Sequence, residues 1–216
     1  MEKPTRRRLL AAGFSGTALG LLGSRAVSAS PDTTTPTSDE GSAPAESAPA
    51  ATTTTLPPQR PTEDDIPLLQ FAESVELAAH DLYQTAIDAG ALEETLTAIR
   101  DNHQAYASVI KGQLGTQGAL SRDDEIYDQF EADFATSDVT ALARAAAAFE
   151  STLVSTYTEM LGELVGTDGA HLIASILIVE ARQAAVLVDV SGRGDDHDAM
   201  FENDATPLAI TSTSGG

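Results

Sequence analysis

Phe71-Ala72-Glu73-Ser74-Val75-Glu76-Leu77-Ala78-Ala79-His80-Asp81-Leu82-Tyr83 is the stretch on which the fold turns. Around it Leu68, Ala72, Val75, Ala79, Leu82 and Ala86 recur by steps of four and three, the period of one helix face. Glu76 lies seven residues from both Leu69 and Tyr83, so a carboxylate shares their face. Three further stripes repeat this combination. Leu92, Leu96, Ile99, Tyr106 and Ile110 form the second, with His103 in its middle. Leu142, Ala146, Phe149, Leu153, Tyr157, Met160 and Leu164 form the third, with Glu150 three before Leu153. Leu172, Ile173, Ile176, Leu177, Leu187 and Val190 form the fourth, and Glu180 and Gln183 continue it.

The ends of these segments carry stop and start signals. Thr62 and Asp65 have capping-box-like spacing, and Glu63 and Asp64 suit the positive end of a helix dipole. Pro67 is tolerated in a first turn. Gly90 ends the first helix, and Gly112 and Gly115 bracket the end of the second. Ser137 or Asp138 caps the third, and Thr167 or Asp168 the fourth. Residues 115–137 are a long connection with room for one short helix and with Phe130 and Phe134 on it. The expectation is an all-α fold: a tight hairpin, a long crossover between helices 2 and 3, and a second tight hairpin. A simple up-down-up-down bundle needs only short loops, so the long crossover points to the ferritin-like arrangement of a four-helix bundle.

Each helix thus places a carboxylate or an imidazole on its inward face, near its middle. An unpaired buried carboxylate costs several kcal/mol or takes up a proton, on the order of the penalties known for buried charge. Several together also repel. A bound cation resolves both problems, and carboxylates with an imidazole suit iron, manganese or zinc. The competing reading places some of these groups at a stripe edge, exposed or bonded to Tyr83, Tyr106 or Tyr157.

Between residues 63 and 190 the chain resembles the ferritin-like superfamily, and within it the exported, twin-arginine-signalled ferritin-like domains of bacteria. The resemblance rests on Phe71-Ala72-Glu73-Ser74-Val75-Glu76, Asp101-Asn102-His103, Phe149-Glu150 with Tyr157, and Ile178-Val179-Glu180-Ala181-Arg182-Gln183. The superfamily's two-iron pattern is one Glu on each of two helices and Glu-x-x-His on each of the other two. The resemblance implies metal ligands at Glu76, His103, Glu150 and Glu180. Arg100 stands where the pattern has a glutamate and Gln183 where it has a histidine. Four donors suit one ion better than two. Two functions follow as expectations. One is a domain with a reduced iron or manganese site and redox or oxygen chemistry. The other is a structural or binding module of the cell envelope that has lost its metal, with Arg100 and Gln183 satisfying the glutamates. Arg100 pairs with a glutamate if it points inward and does nothing there if it points out.

The remaining motifs are weaker. His80 is one turn after Glu76 but reads as a stripe-edge residue, and His171 as solvated. Gly194-Asp195-Asp196-His197-Asp198 reads as a solvated acidic loop without ordered ligand spacing. Phosphate loops, nucleophile elbows and zinc-protease motifs do not occur in the sequence.

Outside the bundle, residues 1–29 have the order of an export signal. Lys3 and Arg6-Arg7-Arg8 precede the weakly apolar segment Leu9–Leu22, and Val27-Ser28-Ala29 offers a cleavage site. Thr5-Arg6-Arg7-Arg8-Leu9-Leu10 resembles a twin-arginine signal, an address read by a receptor. Residues 30–62 are rich in Thr, Pro, Ala and Ser and read as a disordered linker. Residues 191–216 read as an irregular tail, with Phe201, Pro207 and Leu208 docking on the bundle. The expected location is therefore outside the cytoplasm, with no membrane span in the mature chain.

The 33 Asp and Glu against 12 Lys and Arg leave a formal net charge of -21. Residues 1–29 hold five basic side chains and one acid, so their removal takes the charge from -21 to -25. Such a surface repels nucleic acid and anionic lipid and attracts cations. The chain has no cysteine, which removes disulfides and thiolate metal sites from consideration. The metal ion is the one partner these features name; the oligomeric state is left open.

Overall fold

The computed structural model describes residues 56–119 and 121–210. The export signal expected at 1–29 and the linker up to residue 55 lie outside the described residues. Four long helices carry the fold: α1 (Asp65–Asp88), α2 (Glu93–Leu114), α4 (Val139–Glu163) and α5 (Thr167–Val188). The short α3 (Asp124–Phe134) lies within the connection between α2 and α4, and α6 (His197–Phe201) within the tail. No strand occurs among the described residues. α1 packs chiefly on α2 and α4 chiefly on α5, so the two halves are hairpins, as the stripes predict. Among the described residues, no helix is long and apolar enough to cross a membrane.

The crossover is pinned by aromatic side chains. Phe134 at the end of α3 is fully buried, edge-on to Tyr83 at 5.3 Å and to Phe149 at 5.7 Å. Phe130, one turn earlier, meets Phe149 at 4.9 Å. α3 starts where Asp123 accepts a hydrogen bond from Ile126 N, while Asp123 N donates to Ser74 O of α1. The first hairpin turns through Gly90, at φ 89°, and Leu92, at φ 45°. That left-handed backbone is unusual for leucine, and packing of its side chain against the core holds it there.

Asp138 caps α4 as its position predicts, accepting from Thr140 N and Ala141 N at 2.9 Å. The start of α5 differs from expectation. Neither Thr167 nor Asp168 supplies a side-chain cap, and the N-cap residue is Gly166. Asp65, at the start of α1, does the capping from 101 residues away. Its Oδ2 accepts from Gly166 N at 2.9 Å and its Oδ1 from Val165 N at 2.7 Å. Pro58 O and Gln59 O accept from Thr167 N and Asp168 N, so four backbone N–H groups at this helix start are satisfied by distant chain. Asp65 Oδ2 also accepts from Thr62 N and Thr62 Oγ1, the reach-back half of the expected capping box. Residues 58–62 are therefore held in the fold, and the linker expected to extend to residue 62 stops short of them.

The tail is more ordered than the irregular segment expected from residue 191. A π-helical turn, Asp189–Arg193, follows α5, and Asp196 caps α6 by accepting from Ala199 N. Phe201 does not dock; it is 82 % exposed, because α6 ends there and turns its last side chain outward. Leu208 does dock, packing on the core while its N–H donates to Thr156 Oγ1 at 2.9 Å. Pro207 is half-buried beside it.

The Asp65 junction sets the first test. Asp65→Ala leaves buried N–H groups without an acceptor and should cost about 2–4 kcal/mol in denaturant unfolding. Gly166→Ala should be comparably damaging, because a Cβ there would lie 2.6 Å from Arg60 O. Burial works against the Asp65 charge, but N–H donors from Thr62, Val165 and Gly166 outweigh it and hold the carboxyl below its ordinary 3.8. Its contribution is therefore complete above about pH 4 and fades as the pH falls through that lowered value. The parent should lose more stability than Asp65→Ala on acidification in this range.

Candidate metal centre

Each long helix delivers one of the four polar residues on its stripe to a common interior point. Glu76 of α1, His103 of α2, Glu150 of α4 and Glu180 of α5 are all 0 % exposed. His103 lies between the carboxyls. Its Nδ1 is 2.7 Å from Glu76 Oε2 and 3.8 Å from Glu180 Oε1, and its Nε2 is 3.3 Å from Glu150 Oε1. Glu76, His103 and Glu180 each offer a ligand atom within 4.8 Å of the others. Glu150 belongs to the same cluster but faces the opposite ring nitrogen.

Two tyrosines cross the bundle. Tyr83, seven residues after Glu76 on α1, donates to Glu150 Oε1 on α4. Tyr157, seven residues after Glu150 on α4, donates to Glu76 Oε1 on α1. Seven residues is two helical turns, so this reciprocal exchange requires α1 and α4 to run antiparallel with matched register. The Tyr83 ring also stacks on His103 at 5.3 Å, and the half-buried Tyr106 meets it edge-on at 6.2 Å.

The two positions that depart from the two-iron pattern go different ways. Arg100 points out: its Nη1 donates to Gln84 Oε1 at 2.7 Å and its Nη2 to Asp101 at 2.6 Å. The expectation that it satisfies a buried glutamate is therefore not met. A guanidinium in this place reaches the polar groups on the outer sides of α1 and α2 while keeping part of its surface in solvent. Gln183 points in, is 5 % exposed, and donates through Nε2 to Glu180 Oε2 at 3.3 Å. His80 bonds its neighbour Asp81 at 2.9 Å rather than Glu76, and His171 is exposed, as expected of both.

The electrostatics follow from crowding. Burial opposes a charge on His103, but Glu150 and Glu76 outweigh it and push the imidazole up to about 10. Burial and the neighbouring charges of Glu150 and Glu76 push Glu180 well above the carboxylate range. Burial also acts on Glu150, yet hydrogen bonds from Glu180, His103 and Tyr83 hold it below its ordinary value. Without a metal, then, the proton shared by Glu150 and Glu180 stays on Glu180, and His103 is an imidazolium. Counted as carboxylates, Glu150 Oε2 and Glu180 Oε1 have no donor. These orphan acceptors fit a cation, and an ion entering would displace both protons.

The charged imidazole has a measurable consequence. A histidine raised in the fold contributes stability that is complete below about pH 6.5 and is lost as the pH rises through about 10. In chelator-treated protein, the melting gap between the parent and His103→Gln should narrow steadily over that interval. A gap that widens with pH would contradict a protonated His103.

The profile of the ferritin-like domain family matches residues 64–193, from the start of α1 to the end of the π-helical turn. Neither any curated protein nor any solved structure matches the chain. The matched segment covers more than half of the sequence and contains the whole cluster, and on this basis the chain belongs to the ferritin-like domain family.

Proposed function

We propose that this protein is exported and binds one transition-metal ion, iron or manganese, through Glu76, His103 and Glu180. Glu150 then accepts from the far side of the His103 ring and fixes its orientation, a common arrangement around metal-bound histidine. The observation that carries the reading is the convergence of three fully buried carboxyls and one imidazole, with Glu150 Oε2 and Glu180 Oε1 lacking donors. Arg100 outside the cluster and Gln183 within it favour one ion over two. When bound, iron or manganese would supply redox or oxygen chemistry. The chain's own part is to exclude water, hold the ligands, and keep Glu76 and Glu150 hydrogen-bonded to Tyr157 and Tyr83.

Elemental analysis of natively produced protein tests this reading. It expects close to one equivalent of iron or manganese, and less than about a tenth of an equivalent of any transition metal sinks it.

A second reading has its own support. Tyr83, Tyr157 and Gln183 already donate to the carboxyls, so the cluster could persist as a protonated, metal-free core in a structural or binding module. The two readings differ in the Glu76→Ala/Glu180→Ala variant. If the native site holds metal, the variant melts below the parent as isolated. If the cluster is a protonated, metal-free core, chelator leaves the parent's melting temperature unchanged, and the gap to the variant is the same with and without it.

Export rests on the Arg6-Arg7-Arg8 start and the Val27-Ser28-Ala29 site. Protein recovered from the cell exterior or envelope should have an intact mass that begins at Ser30. Recovery solely from the cytoplasm with Met1 or Glu2 at its start would overturn export.

A further inference from the structure

One polar group at the centre is left over once Glu76, His103 and Glu180 are assigned. Gln183 lies one turn after Glu180 on the same face of α5 and is almost entirely buried. Its Nε2 reaches Glu180 Oε2, but its Oε1 has no donor. Protein interiors seldom leave an amide oxygen in that condition. The other two orphan atoms of the core, Glu150 Oε2 and Glu180 Oε1, are also acceptors. The proton that Glu180 holds and shares with Glu150 serves those two carboxyls, which leaves the Gln183 oxygen as the acceptor without a donor. A cation held by Glu180, or water bound to one, would give that oxygen its partner. A core-filling role alone does not account for Gln183, since a leucine would fill the same space without an orphan oxygen.

We infer that Gln183 is a specificity-determining contact of the proposed metal site, its amide Oε1 serving the bound ion and biasing the site toward manganese over zinc. The inference rests on the metal-binding reading above. With Gln183 the donors are three oxygens and one imidazole nitrogen, and no further negative charge is added. Carboxylate and carbonyl oxygen suit manganese, whereas imidazole-rich, four-coordinate sites suit zinc. Nε2 has a separate task, which is to hold Glu180 so that Oε1 faces His103 Nδ1.

Affinities for Mn2+ and for Zn2+, measured separately on the full chain, test this, with the electron paramagnetic resonance spectrum of bound Mn2+ as a second readout. Gln183→Leu should weaken Mn2+ binding by about 10-fold or more, the usual loss for such a contact. Zn2+ binding should change several-fold less, and the Mn2+ spectrum should alter. Gln183→His should move the preference further toward Zn2+. If Gln183→Leu does not fold, Gln183→Met keeps the length without the oxygen and carries the same comparison. Equal effects on both metals, or no effect on either, overturn the inference while leaving the metal site standing. A parent chain that binds neither ion overturns the metal reading itself, and that outcome is separable because it appears before any variant is made.

Discussion

Glu76, Glu150 and Glu180 share one dry interior with a single imidazole between them, and the bundle must neutralise what it has gathered. Three like charges at this range are not tolerated in a low-dielectric core. Protons provide one solution, on Glu180 and on His103, held by burial and by the neighbouring carboxylates. A metal ion would provide the other, with the same atoms deprotonated. On the proposed metal-binding reading the cluster exchanges protons for a cation, and affinity for metal should rise with pH. The crossed Tyr83–Glu150 and Tyr157–Glu76 bonds hold these two carboxyls in place.

That cluster also demands exact registration of four helices, and the fold secures it from the ends. Asp65 ties the start of α1 to the turn before α5, while Pro58 and Gln59 finish the cap. Phe130 and Phe134 wedge the crossover against α1 and α4. The tail crosses α4 between Ser151, whose carbonyl accepts from Asn203, and Thr156, which accepts from Leu208 N. These two anchors fall between Glu150 and Tyr157, so the helix segment that presents both is clamped from outside.

Much of this is legible in the sequence because it is periodic. Polar residues on four apolar stripes predict the helices, their inward faces and the meeting of Glu76, His103, Glu150 and Glu180. Glycine and aspartate mark the turns at Gly90 and Asp138. What stays hidden is whatever depends on chain distant in sequence. Nothing local distinguishes Asp65 as the cap of a helix that begins 102 residues later, so Thr167 and Asp168 look like sufficient caps. The direction of Arg100 depends on Gln84 of another helix, and the exposure of Phe201 on where a five-residue helix stops. The crossed tyrosines did leave a signal. Glu and Tyr stand seven apart on both α1 and α4, and only the antiparallel pairing of those helices turns the repeated spacing into reciprocal bonds.

The question beneath all of this is whether the cluster takes a cation or stays protonated. Anomalous diffraction at the manganese edge, from crystals of the full domain equilibrated with Mn2+ near neutral pH, answers it most directly. The account predicts a single anomalous peak within coordination distance of Glu76, His103 and Glu180, with His103 still bonded to Glu150 through its other nitrogen. No peak there, with His103 still hydrogen-bonded to both Glu76 and Glu150 as in the metal-free protein, would contradict it.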